Sequence, residues 1–146
     1  MNIRLFTNDD LTACTKIFVN TYNQAPWNYH WELQAAETYL SEYISSKYFA
    51  GYVLCDESGI AAAMFGHKKT WWTGSTLYID ELFVSPNKQG VGYGKQLMAC
   101  AEKYCKENGC SNITLMTNRH MPAFKFYNKL DFISADQNVF LFKLIE

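Results

Sequence analysis

Residues 77–97, LYIDELFVSPNKQGVGYGKQL, constrain the fold more than any other stretch of the chain. Leu77 to Val84 is rich in aliphatic and aromatic residues, and Ser85-Pro86-Asn87 closes it with a turn cluster, so a buried strand ending in a short connection is expected. Gln89-Gly90-Val91-Gly92-Tyr93-Gly94 follows. Leu97, Met98, Ala101, Tyr104 and Cys105 then recur at helical spacing until Asn108-Gly109, a helix stop. Glycines at a helix start let successive backbone N–H groups approach an anion with no Cβ atoms in the way, and the helix dipole adds favourable potential. The loop reads as a phosphate cradle between a core strand and a helix.

Two phosphate loops of other kinds do not fit. A P-loop needs glycine where Gln89 stands and Ser or Thr after its lysine, whereas Lys95 is followed by Gln96. A dinucleotide fingerprint needs G-x-G-x-x-G, and Gly90-Val91-Gly92-Tyr93-Gly94 is one residue too tight. Inside the strand, Asp80 and Glu81 are adjacent, so two-residue alternation sends them to opposite faces: Glu81 with Ile79 and Phe83, Asp80 with Tyr78, Leu82 and Val84. A carboxylate on the inner face of a core strand is costly without a partner or a task.

Q-x-x-G-x-G after a strand ending in Val and a Ser-Pro turn resembles the pyrophosphate-binding motif of the GNAT superfamily of acetyl-CoA-dependent N-acetyltransferases, matched in full by Gln89, Gly92 and Gly94. A second segment, Asn118 to Phe132, resembles that family's N-x-x-A-x-x-x-Y-x-K-x-G-F run. Tyr127, Lys129 and Phe132 match it. His120 stands at the usual Asn, leaving Asn118 as the amide near the cofactor, and Asp131 replaces the usual Gly, a position where Asp can still take the left-handed C-cap conformation.

The resemblance implies acetyl-CoA held along Leu82, Phe83 and Val84, the loop Gln89, Gly90, Val91, Gly92, Tyr93, Gly94 and Lys95, and Asn118. It implies direct attack of a primary amine of a small molecule or peptide on the thioester, with Tyr127 protonating the sulfur. A strand acid serves as the base, and the family pattern points to Glu81 ahead of Asp80. Either acid would otherwise be bonded to backbone or paired with His67 or Lys69, and Tyr127 would otherwise be an aromatic packed on the sheet. The rival reading is a non-catalytic acyl-CoA-binding regulatory module on the same fold.

With 146 residues the chain suits one domain, 1–146, burying roughly 68–70% of its unfolded surface. Apolar runs are short and no signal-peptide pattern opens the sequence, so a cytoplasmic protein without membrane contact is expected. A net charge of −1 gives no case for nucleic acid. Five cysteines is an odd number, and Cys100, Cys105 and Cys110 point to different sides of a helix, so they read as reduced packing residues; His30, His67 and His120 show no metal-ligand spacing. Residues 1–60 are mainly acidic, while Lys88, Lys95, Arg119, Lys125 and Lys129 flank the two motifs, which suits an anionic cofactor at one end and a cationic amine at the other, or two ordinary solvated faces.

Along the chain the pattern predicts a strand at 2–6 and a helix capped at Thr7 to Asp10. A second helix begins near Glu32, strands follow at 48–55 and 60–67, and beyond the glycine helix come a strand at 112–117, a helix at 122–130 and closing strands near 132–135 and 139–145. The expected class is α/β (α+β), a GNAT-like mixed, mostly antiparallel sheet of about seven strands flanked by four helices. Trp27, Tyr29, Trp31 and Trp72, with His30 and Trp71, are candidates to wall an acceptor pocket; the same rings would serve equally in packing or in a homodimer contact.

Overall fold

The computed structural model describes residues 1–146. Five strands form one sheet in chain order: β1 (Asn2–Leu5), β2 (Phe49–Asp56), β3 (Gly59–Trp71), β4 (Gly74–Val84) and β5 (Cys110–Leu115). The first three pairings are antiparallel. The fourth, β4 with β5, is parallel, because α3 (Tyr93–Asn108) carries the chain back to the starting edge. With α1 (Leu11–Tyr22), α2 (Leu33–Ile44) and α4 (Pro122–Lys129), four helices and a mixed, mostly antiparallel sheet are present as the sequence predicts. Two compact units make up the chain, Met1–Met116 and Thr117–Glu146.

Local chemistry sets the element ends. Thr7 and Asp10 form a capping box around a short 3-10 turn, where Thr7 N–H donates to Asp10 Oδ2 at 2.8 Å and Arg4 Nη1 donates to the same oxygen at 2.8 Å. The Arg4 guanidinium holds the Asp10 carboxyl down at about 2. Gly109, at φ +71°, closes α3 in the left-handed conformation that favours glycine.

One face of the sheet is covered by α1 and α2. Cys14, Phe18, Ala36 and Leu40 meet Val53, Ala63, Phe65 and Phe83 there, all nearly inaccessible. Truncating a ring such as Phe18 to Ala would cost about 3–5 kcal/mol. On the opposite face α3 buries Leu97, Met98 and Ala101 over the positions where alternation sends Leu54, Ala62 and Met64. No helix is long and apolar enough to cross a membrane, and all five cysteines are free.

The structure corrects the strand count. There are five strands and not about seven, because residues 132–146 form no ladder with any strand. A β-rich alternating sequence reports which residues suit a pleated surface, but a strand exists only where a neighbouring backbone accepts and donates its hydrogen bonds. The predicted connection between the two closing segments is real, a turn in which Asn138 N–H donates to Ala135 O at 3.0 Å.

In the Thr117–Glu146 unit, α4 buries Tyr127, whose ring meets Phe126 at 5.1 Å and Phe132 at 5.3 Å. Asp131 follows the helix at φ +66°, the left-handed conformation expected of the residue standing at the family's glycine.

A second correction concerns β4. Phe65 lies opposite Glu81 and Gly66 opposite Ile79, so Asp80 is an extra residue, a β-bulge, and two-residue alternation breaks there. Gly66 is required at this point, since a Cβ on it would sit 2.8 Å from the Tyr78 carbonyl oxygen. Asp80 therefore does not share a face with Leu82 and Val84 by simple alternation. Its carboxylate bonds to His67, which lies two residues beyond Phe65 and so on the α1/α2 side of the sheet, the same side on which Glu81 meets α2.

Candidate active site

The parallel pairing of β4 with β5 stops at Ile79 and Leu115, while the antiparallel pairing of β4 with β3 continues to Val84 and Ala62. From Asp80 to Val84 one edge of the central strand thus has no strand beside it. The Leu82 and Val84 carbonyls face that edge: Tyr22 Oη donates to Leu82 O at 3.4 Å, and Thr21 Oγ1 and Gln89 Nε2 donate to Val84 O at 3.2 and 3.1 Å. A strand residue's N–H lies on the same side as its carbonyl, so the Leu82 and Val84 N–H groups also line the open edge. Phe83 contributes neither, because its backbone belongs to the β3 ladder and its side chain is 2% exposed in the core.

The edge runs into Ser85 and the 3-10 turn Pro86–Lys88, then into the glycine loop. Gly90 and Gly92 both have positive φ, +78° and +95°, and a Cβ built on either meets nothing within 4 Å. Gln96 is the first residue of α3 whose N–H is returned to the backbone, to Gly92 O at 3.1 Å, so the N–H groups ahead of it are left for an outside acceptor. This unobstructed row of donors at the N-terminus of a 16-residue helix fits a pyrophosphate. Lys95 and Val91 are exposed beside it. Tyr93 is held below, its Oη donating to Asp56 Oδ2 at 2.9 Å, and Lys88 bridges to the same oxygen at 3.1 Å. Gln89 ties the loop back to Val84, its Nε2 donating to Val84 O at 3.1 Å.

Glu81 points into the aromatic layer beneath α2. Tyr39 Oη donates to Glu81 Oε1 at 2.6 Å, and the hydroxyls of Tyr39 and Tyr43 lie 2.9 Å apart. Loss of water is the largest influence on its carboxyl, followed by the opposing pull of the Tyr39 hydrogen bond and repulsion from Asp80, and together they push it up to about 7. Asp80 is also raised, by burial, with His67 pulling the other way. An acid near 7 is well matched to accept a proton at neutral pH. No group of three or more His, Cys, Asp or Glu side chains is arranged to hold a metal ion.

The rings between α1 and α2 form a continuous wall leading to Glu81. Tyr22 meets Trp27 at 5.2 Å and stacks on Tyr29 at 6.3 Å, and Trp31 meets Phe18 at 5.3 Å and Tyr39 at 5.1 Å. Asn23 fixes the loop by bonding both the N–H and the carbonyl of Trp31, at 2.8 and 2.9 Å. Tyr29, His30, Trp31, Glu32 and Ala35 line an open cleft of about 450 Å³. Three of the four candidate acceptor residues, Trp27, Tyr29 and Trp31, thus come together. Trp72 does not join them: it lies in the β3–β4 turn, 86% exposed.

Asn118 and Tyr127 belong to the Thr117–Glu146 unit. Asn118 Oδ1 accepts the His120 N–H at 2.8 Å and so shapes the turn before α4. Tyr39, Tyr22 and Thr21 are site residues that sequence reasoning missed. Tyr39 lies at helical spacing with Ala36, Leu40 and Tyr43 on the inward face of α2, where a tyrosine reads as core packing, so nothing local marked its hydroxyl as a partner for Glu81.

The model of the Acetyltransferase (GNAT) family matches residues 11–132. The uncharacterized N-acetyltransferase YhfO of Bacillus subtilis (strain 168) is 29% identical over 126 residues, 82% of this chain and 80% of that one. Among solved structures, a transcriptional regulator from Bacillus halodurans C-125 superposes with a TM-score of 0.79 at 21% identity, covering 97% of this chain and 99% of that one. The aminoglycoside 6'-N-acetyltransferase AAC(6')-IG from Acinetobacter haemolyticus superposes with a TM-score of 0.80 at 14% identity, covering 100% of both chains. At these identities the two structural likenesses speak for the fold.

Proposed function

Because this chain belongs to the GNAT acetyltransferase family, we propose that it transfers an acetyl group from acetyl-CoA to a primary amine of a small molecule or peptide by direct attack. The observation that carries the reading is the continuity of three features in one short stretch: an open strand edge at residues 80–84, buried acids at its start, and an unobstructed row of N–H donors at its end. When bound, acetyl-CoA supplies the thioester and its thiol leaving group. The N–H groups around Gly90, Gly92 and Gly94 hold the pyrophosphate, with Lys95 beside them. The N–H groups of Leu82 and Val84, on the open edge, serve the cofactor arm and the developing oxyanion.

Glu81 takes a proton from the attacking nitrogen, directly or through water, and Tyr127 is the acid that delivers a proton to sulfur. Asn118 is the amide of the cofactor site. Tyr29 and Trp31 wall the acceptor cleft, with Trp27 joined to them through Tyr22, and aromatic faces and the Glu32 carboxylate there favour a cation. Aminoglycosides carry several primary amines, so the Acinetobacter haemolyticus enzyme's named substrate supports an amine acceptor of this kind.

The test is thiol release from acetyl-CoA over a panel of polyamines, aminoglycosides, amino acids and peptides. Amine-dependent release with at least one class is expected. Acetyl-CoA binding with no release from any of them would mean a binding module.

A further inference from the structure

We infer that His67, held by Asp80, is a proton acceptor for the incoming amine and the outlet through which its proton reaches solvent; this rests on the acetyltransferase reading above. His67 Nδ1 lies 2.7 Å from Asp80 Oδ2, and the two side chains are 29% and 6% exposed. A buried carboxylate accepting the Nδ1–H fixes the imidazole tautomer and leaves Nε2 with the lone pair, on a side chain that is partly open to solvent. Tyr78 backs the imidazole, its ring 5.5 Å away and tilted by 35°.

The bulge makes this arrangement possible. Asp80 is the unpaired extra residue of β4, so it reaches His67 on β3 while Glu81 next to it still reaches Tyr39 on α2. The titratable groups around His67 are Asp80 and Tyr78 on β4, Glu81 behind Asp80, and Tyr43 on α2, which is influenced by both acids; from β2 the neighbouring position is Phe49. No cation faces the pair among these groups.

The two acids therefore do different work. Glu81 is desolvated and accepts hydrogen bonds from Tyr39 and Tyr22, so a proton taken there enters a cluster of tyrosine hydroxyls that also includes Tyr43. Asp80 is spent on the imidazole. An amine arrives as an ammonium and has no lone pair until it loses a proton. His67 Nε2 takes that proton and passes it to water. The N–C bond then forms as the C–S bond breaks, the second nitrogen proton goes to Glu81, and sulfur takes a proton from Tyr127; the proton released by Glu81 through water restores the Tyr127 phenol. The sum is ammonium plus acetyl thioester giving amide, thiol and one proton to solvent.

His67→Ala and His67→Gln test the inference, measured as kcat/KM for thiol release with the best amine of the panel from about pH 6 to about pH 9, with and without added imidazole. Both variants should lose roughly 100-fold or more at neutral pH, the acid limb of the wild-type profile should flatten, and acetyl-CoA affinity by calorimetry should be unchanged. Imidazole should restore part of the rate in His67→Ala and none in His67→Gln, whose amide fills the space. Asp80→Asn, which keeps size but no longer selects the tautomer, should also lose rate, without imidazole rescue.

Wild-type turnover with both His67 variants within about twofold of it at every pH would overturn the inference and leave the acetyltransferase reading standing. So would a rate loss that tracks lost acetyl-CoA affinity and ignores imidazole. Absence of turnover in wild type would overturn the acetyltransferase reading itself, and the role of His67 with it.

Discussion

Glu81→Gln removes a carboxyl that folding shifts from an ordinary 4.5 to about 7, chiefly by burial. Between those two pH values the folded chain keeps a proton that the unfolded chain has already released. Wild type is therefore destabilised progressively as pH climbs through that window, and the penalty is absent below it. A rise of about 2.5 units at 1.36 kcal/mol each amounts to roughly 3 kcal/mol, and less where water reaches part of the side chain. Glutamine does not titrate, and its side-chain oxygen still accepts the Tyr39 hydroxyl.

The stability difference, variant minus wild type, should thus grow by about 2–3 kcal/mol between pH 4.5 and pH 7.5 in urea denaturation, while the contribution of Asp10, which does not interact with Glu81, cancels. The same variant should lose roughly 10²–10⁴-fold in rate. A difference that stays flat to within about 0.5 kcal/mol across the series would show that the carboxyl is not desolvated, and the argument for Glu81 as a base near neutrality would fall.

Two further substitutions probe the rest of the site. Gly92→Glu places a side chain and a negative charge at the N-terminus of α3 and should abolish acetyl-CoA binding in calorimetry. Gly92→Ala, which carries only the strain of a Cβ at φ +95°, should cost about 1–2 kcal/mol of stability and retain binding. Tyr127→Phe keeps the ring that meets Phe126 and Phe132, so thermal stability and acetyl-CoA affinity should change little while thiol release slows; lost stability with unchanged turnover per folded molecule would make Tyr127 purely structural.

The strand, Pro turn, glycine loop and α3 were legible because each is fixed by residues a few positions apart. Proline ends β4, glycine alone accepts the φ values of the loop, and helical spacing shows the face that α3 buries. The placement of Asp80 was not legible from alternation, since a bulge adds one residue without changing composition. Its trace is Gly66, an isolated glycine at the end of the apolar run Ala61 to Phe65, which marks a close backbone approach from the partner strand. Tyr39 reaches Glu81 across 42 residues of sequence, and no local pattern encodes that contact. The closing strands were read from alternation in residues 132–145, and alternation without a neighbouring edge does not make a ladder.

The most direct measurement is mass analysis of an amine incubated with acetyl-CoA and either the wild-type chain or Gly92→Glu. Wild type should convert a primary amine to its N-acetyl product with stoichiometric thiol release, and Gly92→Glu, folded by circular dichroism, should give none. Product formed equally by both chains would contradict the assignment of the glycine loop, and tight acetyl-CoA binding by wild type with no acetylated amine from any class in the panel would contradict the enzyme.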